Sequence, residues 1–252
     1  MKNVSLSFSV IFWLFCLFCI SSCDTGRQGK VIVFSKTDGF RHSSIEDGIA
    51  AIKKLGRENN FTVYATEDAA KIKEEVLVDY DAVVFLNTTQ DILDHVQQAD
   101  FERFIQAGGG FIGIHAAADT EYEWPWYGGL VGAYFSGHPS NPNVRTATLN
   151  PLIKDFAATK MLPDNWERTD EWYNYKDINP DINVLINLDE KSYEGGTNGD
   201  SHPIAWYHEY DGGRSFFTGG GHTSESFEEP LFLEHLVAGI RYSIGTAPKD
   251  YA

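Results

Sequence analysis

Thiols are missing from most of this sequence. Its three cysteines, Cys16, Cys19 and Cys23, all lie within the first 23 of 252 residues. The remainder therefore has no thiolate nucleophile, no Cys-zinc site and no disulfide. No two histidines stand at His-x-His or His-x-x-x-His spacing, so any metal would have to be gathered from distant loops. Basic residues are scarce: 20 Lys and Arg face 36 Asp and Glu, a formal net charge of −16. Setting aside residues 1–22, with one Lys and no acid, leaves 19 basic against 36 acidic, or −17. Such a surface repels phosphate backbones and excludes nucleic acid as an expected partner. There is no internal repeat, and no low-complexity tract follows the leader. The 42% hydrophobic content suffices for one well-filled core.

The one long apolar run, Phe8 to Ile20, is too short to span a bilayer comfortably and has the length of a signal-peptide core. Lys2 precedes it, and Ile20-Ser-Ser-Cys23 closes it in the manner of a bacterial lipobox. The expectation is a lipoprotein signal peptide over 1–22, lipidation at Cys23 and a polar tether over 23–29. One domain then covers 30–246, with a tail at 247–252. The mature protein is expected to be exported and held by lipid to a membrane of the bacterial cell envelope. Several acyl chains, at about 0.8 kcal/mol per buried methylene, anchor stably where one does not.

Strand and helix patterns alternate through the first half. Val31–Ser35, Phe61–Ala65, Ala82–Leu86 and Phe111–Ile114 read as buried strands. Between them, Ser43–Leu55, Lys71–Val78 and Gln98–Gln106 read as helices, the first opened by a capping box of Ser43 and Glu46. Later candidates are Thr146–Leu149, Val184–Leu188, Ile204–His208 and Ser215–Thr218 as strands, with Glu229–Ile244 as a closing helix. This is an α/β, doubly wound, mostly parallel sheet of flavodoxin type, with extra strands and long loops in its second half.

Ligands of open α/β sheets bind beyond the carboxyl ends of the strands. There the sequence places Lys36-Thr-Asp38-Gly-Phe-Arg41-His42, Asn87-Thr-Thr89, His115-Ala-Ala-Ala-Asp119 and Gly219-Gly-Gly-His222. Three histidines past strand ends, with glycines beside them, point to a convergent site.

Gly113-Ile-His115-Ala-Ala117 is similar to the Gly-Ile-Cys-x-Gly elbow of class I glutamine amidotransferases, whose sharp turn lifts a nucleophile above the sheet. Phe217-Thr-Gly-Gly-Gly-His222 sits where their catalytic histidine follows a late strand. By that resemblance His115 stands in the cysteine's place, so cysteine-dependent amidotransferase chemistry is excluded. A histidine pair suits proton transfer or metal ligation. Gly39-Phe-Arg-His42, Gly109-Gly-Phe-Ile-Gly-Ile-His115, Phe135-x-x-His138-Pro139, Asp170-Glu-Trp-Tyr173, His202-Pro-x-Ala-Trp206 and Gly220-Gly-His222-Thr223 together resemble the ThuA-like (trehalose utilisation) family. The likeness runs from Lys30 to Ile244.

The resemblance implies a glutamine-amidotransferase-like fold and a role in carbohydrate catabolism, on a sugar or 3-keto-glycoside. A ketone acidifies its neighbouring C–H bonds, so a base can form an enolate, from which the sugar isomerises or its glycosidic bond is eliminated. On this footing His115 or Glu171 is the base and His222 the acid, and the enzyme is a keto-sugar lyase, hydrolase or isomerase. His42 and His138 would join them in holding one zinc-like divalent ion, the alternative being an imidazole network around a polar ligand. Asp38, Arg41 and Asn87 are candidates to bind substrate, and Trp124, Trp172 and Trp206 to stack on sugar faces. No nucleotide cofactor is expected. The expected partners are a small carbohydrate and, through the lipid, a membrane. The rival reading is a non-catalytic sugar-binding lipoprotein on the same scaffold.

Overall fold

A computed structural model describes residues 28–247 and 249–251. The signal peptide, Cys23 and nearly all of the tether lie outside the described residues. In chain order the first half holds β1 (Gly29–Phe34), α1 (Ile45–Glu58), β2 (Phe61–Thr66), α2 (Glu74–Leu77), β3 (Ala82–Leu86), α3 (His95–Gln106), β4 (Gly110–Ile114) and α4 (Pro125–Val131). The second half holds β5 (Tyr134–Gly137), β6 (Val144–Pro151), β7 (Trp166–Glu171), β8 (Asn174–Lys176), β9 (Asn183–Asp189), β10 (Pro203–Tyr210), β11 (Gly213–Thr218) and α5 (Pro230–Ile244). No helix among the described residues is long and apolar enough to cross a membrane.

Nine strands form one sheet in the order β2-β1-β3-β4-β11-β10-β9-β6-β7. The first five run parallel, and every pairing from β11 to β7 is antiparallel. Both faces of the parallel half are covered, so β3 and β4 are buried at every residue. Ile52 and Leu55 of α1, Phe101, Phe104 and Ile105 of α3, and Phe232, Leu236 and Ile240 of α5 supply the covering side chains. Each such side chain contributes roughly 1.5–3 kcal/mol by leaving water. β5 and β8 pair separately as a short antiparallel ribbon.

Two local expectations are corrected. The capping box opens α3, where the Asp94 carboxylate accepts from Val96 N and Gln97 N at 2.9 Å and Gln97 Oε1 accepts from Asp94 N at 2.9 Å. At α1 the N-cap is Ser44, which makes no side-chain cap bond. Its hydroxyl instead donates to Gly221 O at 3.0 Å and accepts from Asn87 Nδ2 at 3.1 Å, so a tertiary contact has displaced the cap. The second correction is β7. Trp-Glu-Arg-Thr-Asp-Glu does not read as a strand, yet it forms the sheet edge with Arg168, Asp170 and Glu171 buried.

Candidate metal and substrate site

The carboxyl ends of β1, β4 and β11 each deliver one imidazole. His42 stands in the loop after β1 and is 3% exposed. His115 follows β4 directly at φ +47°, a left-handed turn that a side chain of this size adopts only under constraint. That is the elbow geometry, although a five-residue 3₁₀ turn, His115–Asp119, follows it in place of an α-helix. His222 ends the glycine run after β11. A Cβ at Gly220 would lie 2.2 Å from Arg168 Nη1, so a larger residue there would displace the guanidinium that pairs with Asp170. Gly221 takes φ +113°, which turns its carbonyl toward Ser44 and Asn87.

β7 supplies the anion. Asp170, fully buried, accepts from Gly221 N at 2.8 Å, His222 N at 3.1 Å and Ser226 Oγ at 2.7 Å, and pairs with Arg168 at 3.3 Å. It thereby docks the sheet's edge strand onto the loop that carries His222. The next residue, Glu171, projects into the imidazoles. Its Oε2 lies 3.0 Å from His222 Nδ1 and 3.3 Å from His115 Nε2, and those two nitrogens are 3.3 Å apart.

The ring orientations decide what meets there. His115 Nδ1 lies 2.9 Å from Gly219 O, and a carbonyl only accepts, so Nδ1 carries the proton and Nε2 of the neutral ring presents a lone pair. Burial, reinforced by the neighbouring His115 and His222 rings, pushes the His42 imidazole down to about 2. Its Nδ1 is buried without a hydrogen-bond partner. Burial alone would raise the Glu171 carboxyl, but the His115 and His222 imidazoles beside it outweigh that and hold the group far below the usual carboxylate range.

One donor atom each from His42, His115, Glu171 and His222 lies within 4.8 Å of the others. A tetrahedral zinc-like ion with bonds of about 2.0–2.1 Å sets its ligands about 3.3–3.4 Å apart. The separations of 3.0, 3.3 and 3.3 Å approach the edges of such a tetrahedron. Bare lone pairs and a carboxylate oxygen so close repel unless a cation or shared protons lie between them.

Above this floor opens a cavity of about 400 Å³, onto which Glu171, His42 and His222 face. Phe40, Phe135 of β5 and Tyr173, just before β8, wall it, together with Asp119, Asn143 and His138. The Phe135 and Tyr173 rings lie 4.2 Å apart, and Tyr173 packs on His115 at 4.1 Å.

Several expected roles do not fit these positions. His138 lies at the rim, its side chain 35% exposed, with Nδ1 2.8 Å from Pro139 O and 3.7 Å from Glu171 Oε1. It is outside the four-donor group, because its own neighbour's carbonyl holds the ring. His115 is fully buried and does not line the cavity, so direct proton transfer to a substrate is closed to it. Trp172 and Trp206 are fully buried, their indole N–H groups donating to Arg145 O and Val131 O. Trp124 is 7% exposed and stacks on Trp126 and Tyr127. None of the three offers a ring face to a sugar in this cavity. Asn87 is buried scaffolding between Ser44 and Gly221. Arg41 turns outward into exposed ion pairs with Glu46 and Glu67, and Asp38 is exposed and does not line the cavity. Sequence reasoning passed over Asp170 and Asp119; the first stood beside Glu171, and the second at the end of the His115 segment.

The fold and site define a glutamine-amidotransferase-like α/β domain whose elbow carries an imidazole in place of a thiol. The trehalose-utilisation (ThuA) family profile matches residues 30–243. The chain belongs to the ThuA family, which links it to carbohydrate catabolism. Among solved structures it is similar to a ThuA-like protein of Bacteroides uniformis ATCC 8492, with 24% identity and TM-score 0.73 over 87% of this chain and 92% of that one. A ThuA-like protein of Parabacteroides merdae ATCC 43184 matches with 18% identity and TM-score 0.69, over 89% and 93%. A GMP synthase component of Thermoplasma acidophilum shares the fold at 12% identity and TM-score 0.50, over 84% and 94%. A comparison with curated proteins gives no match.

Proposed function

We propose that this protein is an enzyme of carbohydrate catabolism that binds one divalent, zinc-like ion through His42, His115, Glu171 and His222 and acts on a 3-keto-glycoside in the cavity above it. The observation that carries this reading is the convergence of four donors within 4.8 Å of one another beneath the cavity, three of them, from His115, Glu171 and His222, spaced 3.0–3.3 Å apart. A bound ion would polarise the sugar's ketone and stabilise the enolate formed when a neighbouring proton is removed. Glu171 then serves as a ligand, since both its oxygens are already engaged, one by the two imidazoles and the other by Asn143. Gly219 O fixes the His115 tautomer with the proton on Nδ1, so that Nε2 would be free to ligate, the arrangement usual for a ligating histidine. Phe135 and Tyr173 give the sugar an apolar wall and limit water. Membership of a family named for trehalose utilisation supports a disaccharide-derived substrate.

Untagged protein should hold close to one divalent ion per chain and release 4-nitrophenol from at least one anomer of 4-nitrophenyl 3-keto-glucoside. Glu171→Gln should weaken metal affinity on the order of 100-fold, at or beyond the upper end for outer-sphere changes. Full turnover in chelator, with no ion bound, would remove the metal from this reading. Tight sugar binding without turnover would favour a binding protein. We also propose lipidation at Cys23, for which Cys23→Ala should move the protein from the membrane to the soluble fraction.

A further inference from the structure

Two kinds of carboxylate face the cavity. Glu171 is committed to imidazoles, whereas Asp119, which also lines the cavity, is hydrogen-bonded to none. Asp119 closes the 3₁₀ turn that begins at His115. Its backbone is fixed by Gln90 N donating to Asp119 O at 2.7 Å and by a bridge between Gln90 and Thr120. One carboxylate oxygen, Oδ1, accepts from Tyr122 Oη at 2.5 Å and from Gln90 Nε2 at 3.3 Å. Oδ2 has no hydrogen-bond partner, and Asp119 makes no ion pair, among the described residues. The group is thus held by one oxygen and open at the other, as a proton-transferring carboxylate requires. Burial raises its carboxyl above the ordinary aspartate value, more than the bonds from Tyr122 and Gln90 and the nearby His115 lower it.

We propose that Asp119 is the catalytic base that removes the proton from the carbon beside the substrate ketone, an inference that rests on the keto-glycoside reading above. Asp119 takes the C2 proton, and the C–H electron pair becomes the C2–C3 double bond of an enolate with its charge on the C3 oxygen. Reforming the ketone drives a C1–C2 double bond and breaks the C1–O bond, whose electron pair leaves with the aglycone oxygen. That oxygen takes the proton back from Asp119. The products are an unsaturated keto-sugar and a free alcohol, with no oxidant, reductant or further reactant.

The test uses the full chain with both anomers of 4-nitrophenyl 3-keto-glucoside, following 4-nitrophenol release and deuterium wash-in beside the ketone in D₂O. Asp119→Asn should lower both about 10²–10⁴-fold, the range for general-base removal, with the bound-metal content unchanged. Asp119→Ala should regain at least tenfold in formate, a rescue that a merely structural role would not give. The inference is overturned if Asp119→Asn keeps both rates within threefold of the unaltered protein. It is equally overturned if Tyr122→Phe matches the loss and formate restores nothing, since Asp119 would then be only an anchor for Tyr122. Silence of the unaltered protein on both anomers and in exchange overturns the keto-glycoside reading itself, and this assignment with it.

Discussion

The parallel and antiparallel halves of the sheet bury their strands by different means. β1, β3 and β4 are nearly pure hydrocarbon in the core, and they end abruptly in loops that carry His42, Asn87 and His115. β7, at the far edge, buries Arg168 and Asp170 against each other, with Glu229 and Ser226 completing the network. One half therefore supplies a rigid platform of imidazoles, and the other brings the carboxylate that draws them to a point. Neither makes a site alone: the imidazoles without Glu171 lack an anion, and Glu171 without them is an edge-strand acid.

This contrast can be broken most severely at Asp170. Asp170→Ala should leave Arg168 buried without its anion and unmoor Gly221 and His222, at a cost of about 3–5 kcal/mol. Urea unfolding should show that loss and elemental analysis a protein without metal; a mild variant that keeps its metal would mean the docking of β7 is not what assembles the site. A cavity in the parallel half sharpens the same point from the other side. Ile112→Ala in β4, fully buried, should cost about 2–5 kcal/mol in the same unfolding assay yet leave the metal content at that of the unaltered protein.

The smallest expected effect sits where the halves meet. His235 on α5 donates through Nδ1 to Ala158 O at 2.7 Å, and packs on Phe216 of β11 and Trp166 of β7. Burial pushes this imidazole down to about 4, against an ordinary 6.5. Between those values the unfolded chain binds the proton and the folded chain does not. Stability from this group is thus full above pH 6.5 and is lost as pH falls toward 4, by up to about 3 kcal/mol. His235→Leu should flatten that part of the pH dependence of the urea midpoint between pH 7 and 4.5.

Legibility followed the same divide. The parallel strands were readable because continuous apolar runs between helical patterns have few alternatives, and the predicted segments over 31–35, 82–86 and 111–114 match β1, β3 and β4 within a residue or two. His42, His115 and His222 were legible as strand-end residues, and they do converge. β7 was not, since apart from Trp166 its buried residues are charged, and hydrophobic periodicity is silent about charges that are paired in space. The tryptophans misled for a related reason: a large aromatic looks the same in sequence whether it caps a pocket or fills a core.

The order of residues along the chain determined the parallel platform, the lack of any cysteine beyond residue 23 and the family, because all three depend on local pattern and residue type. Folding alone decided that Glu171 would meet three imidazoles, that His115 would be fully buried among them and that Asp119 would line the cavity. Those outcomes depend on where a distant edge strand docks, and docking is settled by buried charge pairs and backbone amides that no stretch of sequence contains by itself.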